Sequence, residues 1–298
     1  MKRLRPLYLM ALPGLIYILI NNYMPMSGLV VAFKSFNYVD GIFNSPWCGL
    51  DNFQYLFSTS ASWIITRNTI VYNIAFIILN TLFGVGTAVL LNEIRKRTST
   101  KVFQMAIMVP YLLSIIIVSY LAYAFLNTDY GFINTQLLPA LGIKPIQWYS
   151  DPKYWPYILI FINTLKNFGF LGLIYYATIL SISKDYYEAA ALDGATKFQQ
   201  IRYVTLPFLK STVIMMVLLA VGRMFYSDFG LFYHVPMNSG ALFNVTNTLD
   251  TFVYRSLIQL GDVGMAAAAG LYQSIVGFIL ILVVNLVIRK ISPEDALF

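Results

Sequence analysis

The stretch SKDYYEAAALDGATKFQQIRYVTLPFLK, residues 183–210, decides how the rest of the chain is read. Its ingredients predict two short helices meeting at a bend: an alanine-rich one over Tyr186 to Leu192, then Gly194 as a permissive hinge, then one from Ala195 to Tyr203 that ends near Pro207. Ala189, Ala190, Ala191 and Ala195 keep the surface thin, so another protein's backbone could approach closely, and Glu188 and Asp193 supply acceptors for that partner's donors. Apolar runs flank the stretch on both sides, Pro156 to Leu180 before it and Ser211 to Leu231 after it. Each is about the 20 residues needed to cross a hydrocarbon core, so the stretch is a loop between two membrane spans.

Working outward, the same pattern covers the whole chain. Of 298 residues, 58% are hydrophobic and 11% charged, far below the roughly 25% charged content of a soluble domain. Six stretches qualify as spans: Leu7 to Phe33, Thr69 to Leu91, Val102 to Phe125, Pro156 to Leu180, Ser211 to Leu231 and Met265 to Ile288. The expectation is an all-α polytopic membrane protein with six transmembrane helices, one transmembrane domain over residues 1–298 and a cytoplasmic loop over 183–207. The first run is too long for a signal-peptide core and is read as a retained span. Arg223 and Asp228 interrupt the fifth. Five residues at about 100° each put them roughly 140° apart on a regular helix, so either the helix breaks near Gly230 or each has another partner.

Lysine and arginine are retained on the cytoplasmic side. The N-terminus (Lys2, Arg3, Arg5), the second-to-third loop (Arg95, Lys96, Arg97, Lys101), the fourth-to-fifth loop (Lys184, Lys197, Arg202, Lys210) and the C-terminus (Arg289, Lys290) hold thirteen. The opposite loops hold five: Lys34, Arg67, Lys144, Lys153 and Arg255. Both termini and the 183–210 loop are therefore expected in the cytoplasm. Because the cations gather between apolar runs, the formal charge of +7 does not point to nucleic acid. A single cysteine, Cys48, excludes an internal disulfide framework or a Cys/His zinc site.

The order Glu188, Ala189, Ala190, three residues, Gly194, nine residues, Val204, one residue, Leu206, Pro207 resembles the signature of binding-protein-dependent permeases, with Val204 where the family carries isoleucine. That resemblance implies a type I ABC importer (MetI-like) permease fold. It also implies that this loop forms coupling helices seated in a groove of an ATP-binding partner. The chain carries no GxxxxGK(S/T) loop for nucleotide phosphates, no GxSxG motif and no metal-ligand cluster in its spans. It is expected not to be an enzyme and to hold no cofactor, with ATP and magnesium bound by the partner ATPase.

Three further segments, GLDNFQYLF (49–57), DFGLFYHVPMNSGAL (228–242) and DTFVYRSL (250–257), resemble the complex-polysaccharide (LplB-like) group of carbohydrate-uptake permeases. This implies an oligosaccharide or glycan-fragment cargo, a second and different permease subunit, two ABC ATPase subunits and an extracellular substrate-binding lipoprotein, all at a bacterial plasma membrane. A permease for a non-sugar solute is the alternative. A secondary transporter is another, although no inverted repeat is detectable and Asp228 is the only carboxylate placed within a span.

Sugars are held by amides and aromatic faces, and the spans offer both. Asn163, Lys166, Asn167 and Phe170 recur at helical i, i+3, i+4, i+7 spacing. Lys166 lies about 15 Å inside its span, where a cation needs a cavity or a partner. Two readings stand for it, the cargo path or pairing with a carboxylate or carbonyls at the interface with the other permease. Thr69, Asn73 and Asn80 lie along one side of the second span, for inter-helix hydrogen bonds or substrate contact. Arg67, just beyond that span, is read as snorkelling to the interface. Arg223, Tyr226 and Asp228 complete the candidate substrate path. The lone His234 is read as a polar packing residue.

Overall fold

The computed structural model describes residues 5–58, 60–94 and 96–291. Lys2, Arg3 and Arg95, counted above among the cytoplasmic cations, lie outside them. The described residues are overwhelmingly helical, with no β-strand among them and one antiparallel bridge, Lys34 to Trp47.

The main helices are α1 (Arg5–Ile18), α2 (Ser60–Glu93), α3 (Arg97–Leu112), α4 (Ile115–Leu126), α5 (Trp155–Leu180), α6 (Lys184–Leu192), α7 (Lys197–Gly222), α8 (Phe229–His234) and α9 (Val263–Ile291). Five helical stretches are long and apolar enough to cross a bilayer: Met10–Phe33, Ala61–Glu93, Pro152–Leu180, Lys197–Gly222 and Val263–Lys290. A sixth crossing is available only as the pair α3 and α4, bent by 89°.

That bend corrects the unbroken third span expected over Val102 to Phe125. Pro110 lies in the last turn of α3, Leu113 and Ser114 are extended, and the Ser114 hydroxyl accepts the Ile116 N–H at 3.3 Å to start a new helix. Proline weakens the helix locally and the serine cap restarts it. The fifth span is corrected too. It is not a helix over Ser211 to Leu231 but runs over Lys197–Gly222, and the chain is irregular until Asp228 caps α8 by accepting the Leu231 N–H at 3.1 Å. At Gly222 an added Cβ would sit 2.7 Å from Ile281 Cδ1, so the end of that side chain on α9 would have to turn aside.

The chain forms two compact units. One takes in the described residues up to Trp63 together with Phe252–Ser274. In it the ammonium of Lys34, a buried side chain, donates to the Phe43 carbonyl and lies 5.1 Å from the Trp47 ring centre. The Asn52 amide donates to the Ala32 and Lys34 carbonyls at 3.0 and 3.1 Å, and Phe57 meets Tyr272 edge-on.

The other unit, Ile64–Thr251 with the described residues from Ile275 onward, holds the candidate site. Lipid is as apolar as leucine, so its helices associate through close packing and hydrogen bonds rather than through exclusion of water. Glycines set the closest approaches. A Cβ on Gly172 of α5 would meet Thr87 of α2 at 3.0 Å, and one on Gly169 would fall 2.0 Å from the Ile107 carbonyl oxygen of α3. Around these contacts lie two apolar clusters. Tyr72, Phe76, Trp155, Leu159 and Phe232 form one, and Ala88, Tyr175, Ile179, Ile182 and Leu209 form the other.

The N-terminal end of α2 is fastened to residues 244–249. Asn68 donates to the Asn244 and Asn247 carbonyls at 3.1 and 2.9 Å, Tyr72 to Val245 at 2.8 Å, and the Thr69 hydroxyl accepts the Leu249 N–H at 3.1 Å. Arg67, read from the sequence as snorkelling, belongs to this fastening: it donates to the Asn244 carbonyl at 2.9 Å.

Candidate functional site

Two features of this unit gather the candidate site residues, an exposed bend and a polar cavity. The bend begins with α6, which Ser183 caps by accepting the Asp185 N–H. It closes at Gly194, whose φ is +79°, with the Gly194 N–H donating to Ala191 and the Ala195 N–H to Ala190. This pair of bonds is a Schellman closure, and the left-handed backbone it needs is the reason for glycine. Thr196 then caps α7 in a reciprocal box with Gln199.

The second helix departs from expectation, because it does not end near Pro207. It continues into the span without a break. Ile201–Thr205 widens to a π turn, in which the Leu206 N–H donates to Ile201. The wider turn comes just where Pro207 offers no N–H and its ring would crowd the carbonyl one turn back.

Glu188 and Asp193 are exposed, and among the described residues neither side chain has a partner. Ala189 and the half-buried Ala190 keep the surface of α6 low. The residues that stand out from the bend are two the sequence reading passed over, Leu192 at 89% and Phe198 at 68% exposure. Their signal was present as large apolar side chains in an otherwise polar loop. Val204 turns inward instead. With Tyr187 it packs on the Ala88, Tyr175, Ile179 and Leu209 cluster, and the Tyr187 and Thr205 hydroxyls lie 3.0 Å apart. Leu206 is exposed at the start of the regular helix that follows. The bend is thus a stiff corner fixed to the helices behind it.

The cavity, of about 690 Å³, collects most of the candidate path. Asn73 and Asn80 reach it from α2, and Asn163, Asn167 and Phe170 from α5. Arg223, Tyr226 and Asp228 reach it from the irregular segment after α7. The Asn80 amide donates to Asn163 Oδ1 at 2.9 Å across the two helices, while Asn73 and Asn167 each donate one turn back along their own helix. No ion pair joins Arg223 to Asp228 among the described residues, in keeping with the angular argument from the sequence. Ser227, a lining residue missed by the sequence reading, donates its N–H to the Asp250 carboxylate. Among the described residues, the buried atoms of lining residues that lack hydrogen-bond partners include Asn80 Oδ1 and Ser227 Oγ. Such groups cost about 1–3 kcal/mol each when left unpaired, so the wall favours a hydroxyl-bearing guest.

Lys166 does not line this cavity. Its ammonium donates to the Pro110 and Leu113 carbonyls, at 3.3 and 2.6 Å, which the break in the third span leaves without helical partners. Of the two readings, carbonyl pairing describes the contact, with the carbonyls in its own chain. The described residues contain no group of three or more His, Cys, Asp or Glu that could hold a metal. His234 lies edge-on to the rings of Phe229 and Tyr233.

Residues 80–293, which include the bend and most of the cavity wall, match the family described as binding-protein-dependent transport system inner membrane component. Among curated relatives, Protein LplB of Bacillus subtilis (strain 168) is 31% identical over 99% of this chain and 92% of its own length. From the same organism, the polygalacturonan/rhamnogalacturonan transport system permease protein YteP is 32% identical over 97% of this chain and 89% of its own length. Among solved structures, a chain of a bacterial alginate ABC transporter in complex with an alginate pentasaccharide-bound periplasmic protein superposes with a TM-score of 0.88 at 28% identity, covering 98% of this chain and 96% of that one. The chain belongs to the binding-protein-dependent transport system inner membrane component family: it is a membrane-spanning permease of the ABC importer kind, and the chemistry it serves is transport rather than catalysis.

Proposed function

We propose that this chain is one of two different permease subunits of an ATP-driven importer in the bacterial plasma membrane, which takes up an oligosaccharide delivered by an extracellular substrate-binding lipoprotein. Two partner ATPase subunits hold ATP and magnesium, and this chain holds no cofactor. Both termini and the Glu188 to Pro207 loop face the cytoplasm, as the distribution of lysine and arginine supports. Closure of the ATPases pushes on the bend carrying Leu192, Gly194 and Phe198. The inward packing of Val204 and Tyr187 carries that push to the helices around the cavity, whose access alternates between the two sides.

The observation that carries the cargo reading is the cavity wall of asparagine amides, with a guanidinium and acceptors that lack partners among the described residues. Arg223 supplies a cation for a carboxylate on the sugar, whereas Asp228 is engaged in capping α8 and the amides meet hydroxyls. The substrates for which the similar transporters are named, polygalacturonan/rhamnogalacturonan and alginate, support a uronate-bearing chain.

The test is ATP-driven uptake by the assembled transporter in proteoliposomes, with trigalacturonate and maltotriose as probes. Trigalacturonate is the better substrate, and Arg223→Gln raises its KM by about tenfold or more, the worth of a charge-assisted hydrogen bond, while changing maltotriose little. Equal effects on both probes would remove the charge role of Arg223. Transport of a non-sugar solute with neither saccharide taken up would overturn the cargo reading.

A further inference from the structure

The break in the third span, a helix pair apolar enough to cross a membrane, leaves the last carbonyls of α3 without partners in a continuing helix. In secondary transporters such half-helix ends hold a coupling cation. Here the place is taken by a cation tethered to the neighbouring helix: Lys166 Nζ donates to the carbonyls of Pro110 and Leu113. The negative end of the α3 dipole further favours an ammonium there.

One turn along the same face of α5 stands Phe170, which lines the cavity. Its ring stacks on that of Tyr111, with centroids 4.7 Å apart and planes 8° from parallel. Tyr111 lies in the chain between the two residues whose carbonyls Lys166 holds. The ammonium contact and the ring stack are therefore consecutive fastenings of one short segment, Pro110 to Leu113, onto one face of α5. Removing the first frees the segment that carries half of the second.

We propose that Lys166 is a positioning residue for cargo recognition: by capping the broken third span it holds Tyr111 against Phe170 and so fixes an aromatic wall of the cavity. The role in recognition rests on the oligosaccharide reading, since sugar rings bind on aromatic faces, whereas the positioning itself does not.

Two measurements separate these parts. In the assembled transporter, with trigalacturonate as the probe, Lys166→Met and Tyr111→Ala each raise KM by about two- to tenfold, the worth of an aromatic contact, with Vmax retained. The K166M/Y111A double variant is no worse than Y111A alone, because both act through one contact. Lys166→Arg, which can still donate to both carbonyls, returns KM toward that of the unaltered chain. Multiplying effects, or an unchanged KM in both single variants, would overturn the proposal. Should K166M fail to accumulate in membranes, Y111A decides it, and a KM at the unaltered level is the contrary result.

The second measurement needs no cargo. In a chain with Cys48→Ser, cysteines replacing Tyr111 and Phe170 are joined by a short thiol cross-linker. Adding Lys166→Met lowers the yield several-fold and adding Lys166→Arg does not; a yield unmoved by K166M overturns the positioning role. If the yield falls as expected but no saccharide is transported, the cargo reading fails and the positioning stands.

Discussion

Aspartate in place of both Leu192 and Phe198 is expected to leave the chain inserted in the membrane, abolish its copurification with the ATPase partner and cut uptake by more than about 100-fold. The two side chains are large apolar groups at the bend, 89% and 68% exposed among the described residues. Buried central anchors of an interface are worth about 2 kcal/mol or more apiece, and replacing them with carboxylates adds the desolvation of two charges. Glu188→Ala acts in the same direction with a smaller effect, because it removes one acceptor and leaves the apolar contact. Gly194→Ala is milder still. Open space surrounds its Cβ position, so the cost is only the left-handed backbone, about 1 kcal/mol. Copurification and uptake at the unaltered level in the double variant would place the docking surface elsewhere.

The second large effect lies within the helix packing. Gly169→Ala puts a methyl group 2.0 Å from the carbonyl oxygen and 2.7 Å from the carbonyl carbon of Ile107. Both are backbone atoms, so no side chain can turn away, and α3 and α5 must separate. Overpacking of this kind costs about 1–3 kcal/mol even where a core can relax, and here it disturbs the same helix pair that Lys166 joins. The expected result is a sharp loss of chain accumulating in membranes and a lower thermal transition for what is purified. Gly86→Ala is the matched control on α2, since its Cβ would meet nothing within 4 Å, and it should accumulate normally. Equal behaviour of the two variants would mean that α3 and α5 do not pack as described.

The parts of this fold that were legible in the sequence are those written in local patterns. Apart from the two breaks, apolar runs gave the long helices to within about four residues for the first, fourth and sixth, whereas the second begins eight residues earlier than expected. Gly194 after an alanine-rich segment announced a bend, and the structure makes it a Schellman closure. The angular mismatch of Arg223 and Asp228 left two alternatives, a break near Gly230 or another partner for each, and the helix in fact ends at Gly222, before both residues. The break in the third span was hidden because apolar residues continue on both sides of Leu113. The available clues were Pro110, the capping residue Ser114 and the unexplained cation Lys166 on another helix. Connecting them requires knowing that α3 and α5 are neighbours, which no local pattern encodes. Tyr111 was missed for the same reason, as its partner Phe170 is distant in sequence. The asparagines of spans two and four could be listed as a path, but only the packing of α2 on α5 brings Asn80 to Asn163 and both to one cavity.

The central claim, that a separate ATPase drives this chain through the Glu188 to Pro207 loop, is tested most directly by uptake in membrane vesicles prepared with and without that ATPase. The account predicts ATP-dependent accumulation of trigalacturonate when the ATPase is present and none when it is absent, whatever sodium or proton gradient is imposed. Accumulation persisting at the full rate without the ATPase would contradict it.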